Sequence, residues 1–209
     1  MHSCGAVAAD TVTIQPFNLH NLSLIADEVF PCWSPQAGDD SFKRFVVEYI
    51  VRNNIFENEY RFELDAADGT LLAAAFFARK GDVCTSGTWF TEGIGCAGRF
   101  SEDLKTVADG IRTYLELMDK KTFALMDETD IKLSLFVGRK RGCGAVLFDS
   151  LWNRLKSEGW KNLYLWTDCE CNWQWYGKHG FTLVAEDLYK PFCRAGTDYK
   201  TYIFKKSLR

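Results

Sequence analysis

The pattern of apolar and polar positions divides the first 80 residues into short strands and amphipathic helices. Residues 11–15 alternate like a strand, and apolar positions at helical spacing predict helices over 18–29 and 41–54. Residues 60–65 and 71–78 also alternate, and an Asp-Gly turn dipeptide separates them. The order predicted here is therefore strand, helix, helix and hairpin.

Two segments are predicted to be loops. Pro31 and Pro35 follow the first helix and mark the first loop. Residues 81–100 are rich in Gly, Thr and Cys, and Ser101 then begins a helical pattern. Because this stretch is too long for an ordinary connection, the sequence predicts an insertion around residues 81–125 that shapes a pocket.

The clearest periodicity begins at residue 131. An apolar strand over 131–137 leads through a Gly-rich turn into a helix near 142–158, and a buried strand over 163–166 follows at once. Strand, helix and strand with such short connections form a right-handed unit with two parallel neighbours. Residues 181–184 and 200–204 predict closing antiparallel strands. The predicted fold class is α/β, with a mixed sheet that contains one parallel pair.

Composition and charge narrow the function classes. The chain has 209 residues, 47% of them hydrophobic, which predicts a single domain over 11–206 after an N-terminal tail at 1–10. The net charge of -3 gives no overall attraction to nucleic acid. No stretch approaches the roughly 20 apolar residues of a membrane span. We therefore expect a small partner, no nucleic acid and no membrane.

The eight cysteines are scattered along the chain. Cys169 and Cys171 are closest, with one residue between them, which is not the usual spacing of zinc ligands. The pattern favours reduced thiols in the cytoplasm and predicts no metal site. The first ten residues lack the basic region of a signal peptide.

A glycine-rich turn joins the 131–137 strand to the next helix. Its sequence is Gly138-Arg139-Lys140-Arg141-Gly142-Cys143-Gly144-Ala145. Glycines let the main chain approach a ligand closely, and the first amides of a helix have no intrahelical partner. The turn therefore predicts an anion site of diphosphate type. The alternative is that the three basic residues only form a solvated turn.

A tyrosine follows on a second short motif. Tyr176 lies on a short predicted helix that Asn172 is placed to cap and that Gly180 ends, directly before Phe181. A tyrosine at such a position can donate a hydrogen bond to a ligand. The alternative is a core tyrosine on an amphipathic helix.

The two motifs together resemble the GNAT superfamily of acyl-CoA-dependent N-acetyltransferases. The loop pattern of that family is Gln or Arg, two residues, Gly, one residue, then Gly or Ala, and Arg139 to Gly144 fit it. Its second signature places a Tyr four residues before a Gly-Phe pair, which Tyr176 matches. The detailed resemblance covers residues 131–206. It implies a GNAT-like sheet, mostly antiparallel with a central parallel pair, flanked by helices.

The resemblance also implies an activity. Members transfer the acetyl group of acetyl-CoA to a primary amine by direct attack in a ternary complex, and here the acceptor would be a small molecule or a peptide. The acids near the expected site hint at a cationic acceptor, and a homodimer stays open. They include Asp127, Glu128, Asp130, Asp168 and Glu170.

The resemblance assigns roles to particular positions. The pantetheine arm of the cofactor would run beside the backbone of Leu135, Phe136 and Val137, and Asn172 would contact the cofactor. The diphosphate would bind Arg139, Lys140, Arg141, Gly142, Cys143, Gly144 and Ala145. The turn is shorter than is usual in the family and lacks its common proline. The family's Asn seven residues before the Tyr is Cys169 here.

The resemblance identifies a proton donor but no single proton acceptor. Tyr176 would donate to the leaving thiolate, and a thiol pKa near 8.5 against a phenol pKa near 10 makes full transfer uphill by about 2 kcal/mol. The 131–137 strand has no carboxylate, which leaves Glu128, Asp130 and Asp168 as candidate bases. A water relay is equally compatible. A non-catalytic acyl-CoA sensor and a pure interaction domain are the alternatives to an enzyme.

Aromatic residues are the candidates for the walls of an acceptor pocket. They are Trp33, Tyr49, Trp89 and Phe90. Core packing is the ordinary alternative for such residues in an aromatic-rich chain.

Overall fold

A computed structural model describes residues 12–209. The predicted tail at 1–10, and the first residue of the predicted 11–15 strand, lie outside the described residues. The strands are β1 (Thr13–Pro16), β2 (Arg61–Asp65), β3 (Leu71–Arg79), β4 (Asp130–Gly138), β5 (Asn162–Asp168), β6 (Thr182–Leu188) and β7 (Lys200–Ser207). The helices are α1 (Leu22–Trp33), α2 (Asp40–Asn53), α3 (Ser86–Gly95), α4 (Glu102–Ala124), α5 (Cys143–Ser157) and α6 (Gln174–Lys178).

The strands form one seven-stranded sheet in the order β1-β2-β3-β4-β5-β7-β6. Every neighbouring pair is antiparallel except β4 and β5, which run parallel. The predicted fold class is confirmed. Across residues 12–209, no helix combines the length and apolar character needed to cross a bilayer.

Helices cover both faces of the sheet. On one face α5 buries Leu147, Leu151 and Leu155 against the sheet. On the other face α1 and α2 pack over β3 and β4, while α3 and α4 pack over β5 and β7. Residues 81–125, predicted as an insertion, therefore contribute to the second core.

The parallel pair separates after three residue pairs. The last pair is Lys132 with Tyr164, although β4 continues to Gly138 and β5 to Asp168. Beyond Lys132, the edge of β4 that faces β5 has no strand partner among residues 12–209. We call this gap the inter-strand cleft. It opens toward the Gly-rich turn and the start of α5.

A β-bulge lies on β4 where the cleft begins. Phe76 of β3 pairs with Leu135 and Phe77 pairs with Leu133, so Ser134 is the extra residue. Leu133 packs on the α5 face, whereas Leu135 packs on the α1 and α2 face. Because of the bulge, Leu133 and Leu135 point to opposite faces of the sheet although they are two residues apart. The bulge also interrupts the regular hydrogen bonding of β4 beside the cleft.

Two predictions of loops are wrong in part. The segment 81–100 contains α3, which buries Phe90 despite its glycines, and Gly93 approaches α2 so closely that a Cβ would lie 2.4 Å from Phe45. Tertiary packing overrides the weak helix propensity of this segment. Pro31 lies inside α1, so the first loop begins only after Trp33 and contains Pro35.

Candidate active site

The Gly-rich turn, residues 138–145, connects the open end of β4 to α5. Gly142 has φ +87° and directly precedes the helix. Gly138 lies beside Gly144, and a Cβ on Gly138 would make an ordinary van der Waals contact with the Gly144 amide nitrogen at 3.4 Å. A Cβ on Gly144 would lie 3.2 Å from the Phe136 ring. We call this segment the glycine loop.

Several amides of the glycine loop have no protein acceptor. The Cys143 amide donates to the Lys140 carbonyl (3.2 Å), and the Val146 amide donates to the Gly142 carbonyl (3.3 Å). Among the described residues, the amides of Gly144 and Ala145 have no acceptor. They lie in the first turn of a 15-residue helix, where the helix dipole favours an anion.

The three basic residues of the loop differ in their surroundings. The Arg139 guanidinium donates to the Leu71 carbonyl (3.1 Å) and lies 3.6 Å from the Glu28 carboxylate, so it fastens the loop to β3 and α1. Lys140 and Arg141 are exposed. Among residues 12–209 neither forms an ion pair, so their charges face solvent at the mouth of the cleft.

The backbone of Leu135, Phe136 and Val137 borders the cleft. Leu135 and Val137 turn their side chains into the core beneath α1 and α2. Phe136 turns to the opposite face, where its ring lies 5.7 Å from that of Phe148. Because both sides are anchored by packing, the unpaired main-chain edge of this segment is held in a fixed position.

Tyr176 lies on α6, which follows β5. Its ring packs against Phe181 and Phe204 at centroid distances of 5.6 and 5.5 Å. Within residues 12–209 its hydroxyl forms no hydrogen bond. Burial, with a smaller contribution from Cys171, raises the pKa of Tyr176 to about 12. The hydroxyl therefore stays protonated at physiological pH and is able to donate.

Asn172 is exposed and lies before α6, whose N-cap residue is Trp173. The prediction that Asn172 caps this helix is wrong. The Trp175 amide donates to the main-chain carbonyl of Asn172 (3.2 Å), and α6 has no side-chain cap bond.

Asp168 is buried at the end of β5 and its carboxylate is fully engaged. Besides the Glu170 amide, it accepts hydrogen bonds from the hydroxyls of Tyr114 (3.0 Å) and Tyr199 (2.8 Å). Burial first, and the charge of Asp168 second, raise the pKa of both tyrosines. The carboxylate therefore joins α4 and the β6–β7 connection to β5.

The other two candidate bases lie at the opposite end of β4 from the glycine loop. Asp130 is buried and accepts from Asn162 (2.6 Å) and from the Asp127 amide (3.0 Å). Glu128 is exposed in the preceding turn. At about 3.3 Å per residue, the length of β4 puts roughly 25 Å between Asp130 and the loop. The structure does not bring Glu128 or Asp130 together with Tyr176.

Comparison with solved structures shows which fold this geometry belongs to. The ribosomal-protein-S18-alanine N-acetyltransferase of Escherichia coli superposes with a TM-score of 0.52 at 12% identity, over 95% of this chain and 94% of that one. The C-terminal condensation domain of Ebony gives a TM-score of 0.60 at 8% identity, over 94% and 99%. The chain has the GNAT fold.

A further N-acetyltransferase structure supports the same fold. Arylalkylamine N-acetyltransferase 2 from Aedes aegypti gives a TM-score of 0.51 at 10% identity, over 95% of this chain and 100% of that one. By sequence, no protein-family model and no curated protein matches the chain.

The aromatic residues predicted as pocket walls occupy different positions on this GNAT fold. Tyr49 and Phe90 are buried in the core with rings 4.4 Å apart. Trp89 is half-buried and stacks on Phe45 at 5.0 Å, and Trp33 is half-buried at the end of α1. The four side chains do not form a common wall.

Sequence reasoning missed a polar cluster on the face of α4. Lys132, Asp119 and Trp166 are joined by hydrogen bonds beside the start of the cleft. A lysine within an otherwise apolar strand was the available signal, because a buried charge requires a partner.

Gly142→Ala tests the glycine loop. The resemblance implies that this loop binds CoA, and the variant is then expected to lose at least tenfold in CoA affinity, because alanine at φ +87° costs about 1 kcal/mol or more and turns the neighbouring amides away. Gly159→Ala is the matched control, since Gly159 has φ +90° at the other end of α5 and a Cβ there would also meet no atom within 4 Å. Both variants should lose stability. Equal CoA affinity in the two variants, measured by calorimetry, would contradict the assignment.

Alkaline unfolding tests the buried tyrosines. Burial raises the pKa of Tyr49, Tyr114 and Tyr199, so the unfolded chain releases these protons near pH 10 while the folded chain retains them. Stability is therefore complete below about pH 10 and falls above it, by on the order of 1 kcal/mol per pH unit for each tyrosine. Urea midpoints between about pH 9 and about pH 11 measure this loss, and Tyr114→Phe should reduce the slope. A midpoint that is constant over this interval would refute the expectation.

Proposed function

We propose that the chain is an acetyl-CoA-dependent N-acetyltransferase of GNAT type. It transfers the acetyl group to a primary amine of a small molecule or peptide by direct attack in a ternary complex. One arrangement carries the proposal: the inter-strand cleft ends at the amides of Gly144 and Ala145, and its β5 side leads to the Tyr176 hydroxyl. None of these three donors has an acceptor within residues 12–209.

Each part of the cofactor has a counterpart in this arrangement. The diphosphate would accept hydrogen bonds from the first turn of α5, with the charges of Lys140 and Arg141 nearby. The pantetheine arm would lie in the cleft and form the strand-like hydrogen bonds that β4 lacks along residues 135–137. The thioester would then lie near the Ser134 bulge, where the ladder is disturbed.

The chemistry requires a proton donor for the leaving thiolate. With the pKa of Tyr176 raised to about 12, full proton transfer to a thiolate of ordinary pKa is uphill by about 5 kcal/mol. Tyr176 would therefore stabilise the thiolate through a hydrogen bond and keep its own proton. This cost exceeds the value of about 2 kcal/mol expected for an unperturbed phenol.

The attacking amine must lose a proton. Asp168 already accepts three hydrogen bonds, and Asp130 and Glu128 lie at the closed end of β4, which favours a water chain over a dedicated carboxylate. A primary alkylamine with pKa near 10 is mostly protonated at neutral pH. The rate should therefore increase with pH as the free amine becomes available.

The same observation favours a second candidate, a non-catalytic acyl-CoA sensor. Among the described residues, none of the three candidate carboxylates stands free beside the cleft. A sensor would keep the glycine loop and the cleft but would not need Tyr176.

Seven cysteines of the described chain are free thiols, which is compatible with a reducing compartment such as the cytoplasm.

Asn172 is a further proposed cofactor contact, because its side chain is exposed beside α6.

Thermal unfolding with and without acetyl-CoA tests the proposal first. We expect stabilisation by about 4 kcal/mol at a ligand concentration of 1,000 times Kd. Thiol release over a panel of primary amines then separates enzyme from sensor. No stabilisation at millimolar acetyl-CoA would refute both candidates, and stabilisation without turnover of any amine would favour the sensor.

A further inference from the structure

Helix α4 is bonded to both strands of the parallel pair where they separate. Asp119 of α4 accepts at the same carboxylate oxygen, Oδ1, from Lys132 Nζ (2.5 Å) and from Trp166 Nε1 (2.7 Å). Lys132 is the last residue of β4 to pair with β5. Trp166 lies two residues beyond its partner, Tyr164. We call these three side chains the Asp119 bridge.

A second bond joins the unpaired half of β5 to the same helix. The Tyr114 hydroxyl donates to the carboxylate of Asp168 (3.0 Å), which is the last residue of β5. Beyond Tyr164, β5 thus pairs with β7 along one edge, and its side chains are hydrogen-bonded to α4. It does not pair with β4 there. Helix α4 replaces the strand pairing that β5 lacks on the cleft side.

The bridge is well suited to fix the positions of the strands. Lys132 is completely buried, and its Nζ lies 4.5 Å from the ring centre of Phe56 and 4.8 Å from that of Phe123. Burial lowers the pKa of Lys132, while Asp119 opposes that shift. A buried ion pair adds little net stability, but its geometry is demanding, and such pairs can specify one arrangement of the surrounding elements.

Something must keep the two strand edges apart. Parallel strands whose main-chain groups face each other gain hydrogen bonds when they close to about 4.8 Å. An open cleft therefore requires features that oppose closure: the Ser134 bulge disturbs the ladder of β4, and side-chain contacts can fix each strand in place.

We propose that Asp119 is a positioning residue that holds the inter-strand cleft open for an extended pantetheine arm. It does so by fixing β4 through Lys132 and β5 through Trp166. The identity of the occupant rests on the proposed function, whereas the separation of the strands does not.

Two variants and one control test the bridge. Trp166→Phe removes the bond to β5 and leaves the ion pair intact. The double variant Asp119→Leu/Lys132→Met removes both charges together, so no buried charge is left unpaired. Lys121→Met is the control, because Lys121 also lies on α4 but pairs with Asp187 of β6 (2.8 Å), away from the cleft.

Amide hydrogen exchange of the whole chain, followed by mass spectrometry, is the first measurement. We expect slower exchange in the peptide covering residues 133–138 for both bridge variants, because β4 gains hydrogen bonds to β5 as the cleft closes. The control should match the wild type. Unchanged or faster exchange at 133–138 in both variants would overturn the proposal, whether or not the chain binds CoA.

CoA binding is the second measurement. We expect at least a tenfold loss of CoA affinity in both bridge variants and, if turnover is present, a larger rise in KM for acetyl-CoA than fall in kcat. Wild-type affinity in the double variant would overturn the proposal. If the wild type itself binds no CoA, the proposed function fails, and the exchange measurement alone decides the bridge.

Discussion

Asp119→Ala is expected to lower the free energy of unfolding by about 3–5 kcal/mol. The substitution leaves the completely buried ammonium group of Lys132 without its only anionic hydrogen-bond partner in the described chain. It also leaves the Trp166 indole N–H without an acceptor. The expected loss comes mainly from the uncompensated charge, because burial already lowers the pKa of Lys132.

Urea denaturation of the single and double variants measures this effect. Lys132→Met should lower the free energy of unfolding by less than Asp119→Ala does, because Asp119 still accepts a hydrogen bond from Trp166 and keeps partial contact with solvent. Asp119→Leu/Lys132→Met should recover most of the stability that Asp119→Ala loses, since a buried pair can be replaced by apolar groups at little cost. A loss below about 1 kcal/mol in Asp119→Ala would show that Lys132 is neutral or solvated in the folded chain.

Tyr176→Phe is expected to lower kcat by about 100-fold or more while KM for acetyl-CoA changes less than threefold. The phenyl ring keeps the contacts with Phe181 and Phe204, so the packing of α6 should survive. Only the donor is lost, and the leaving thiolate must then depart without a hydrogen bond. Stability should stay near that of the wild type, because among the described residues the hydroxyl has no partner to lose.

Steady-state thiol release with a reactive amine measures the effect. Tyr202→Phe is the matched control, because Tyr202 is a buried tyrosine of β7 that stacks on Trp173 at 4.5 Å outside the cleft. It should retain turnover. If Tyr176→Phe also retains wild-type turnover, the role proposed for Tyr176 is wrong.

The elements with strong local signals were predictable from the sequence. The β2–β3 hairpin and the β4–α5–β5 unit combine alternation or apolar stripes with specific turn residues, and their predicted and observed bounds nearly coincide. Helix α3 was not predictable because its stability comes from burying Phe90 against α2, which overrides a glycine-rich sequence.

Only the parts of the candidate site that residues close together in sequence form were predictable. The glycine loop and the start of α5 lie within a few residues of each other, so the pattern indicated them directly. The relation of Glu128 and Asp130 to the cleft depends on where the parallel pairing stops, since they lie at the start of β4 and the cleft lies at its other end. The Ser134 bulge left no trace in the alternation, because residues of both faces at that level are apolar.

The hydrogen bonds of Arg139 to β3 have a consequence for the thermodynamics of ligand binding. They hold the glycine loop in place before any ligand arrives, because the Arg139 amide donates to the Leu72 carbonyl (2.8 Å) and the guanidinium donates to the Leu71 carbonyl (3.1 Å). A preorganised loop loses little conformational entropy on binding. Small anions that fill only the loop, such as inorganic pyrophosphate, should therefore bind with a favourable enthalpy and without the ordering cost that accompanies a folding loop.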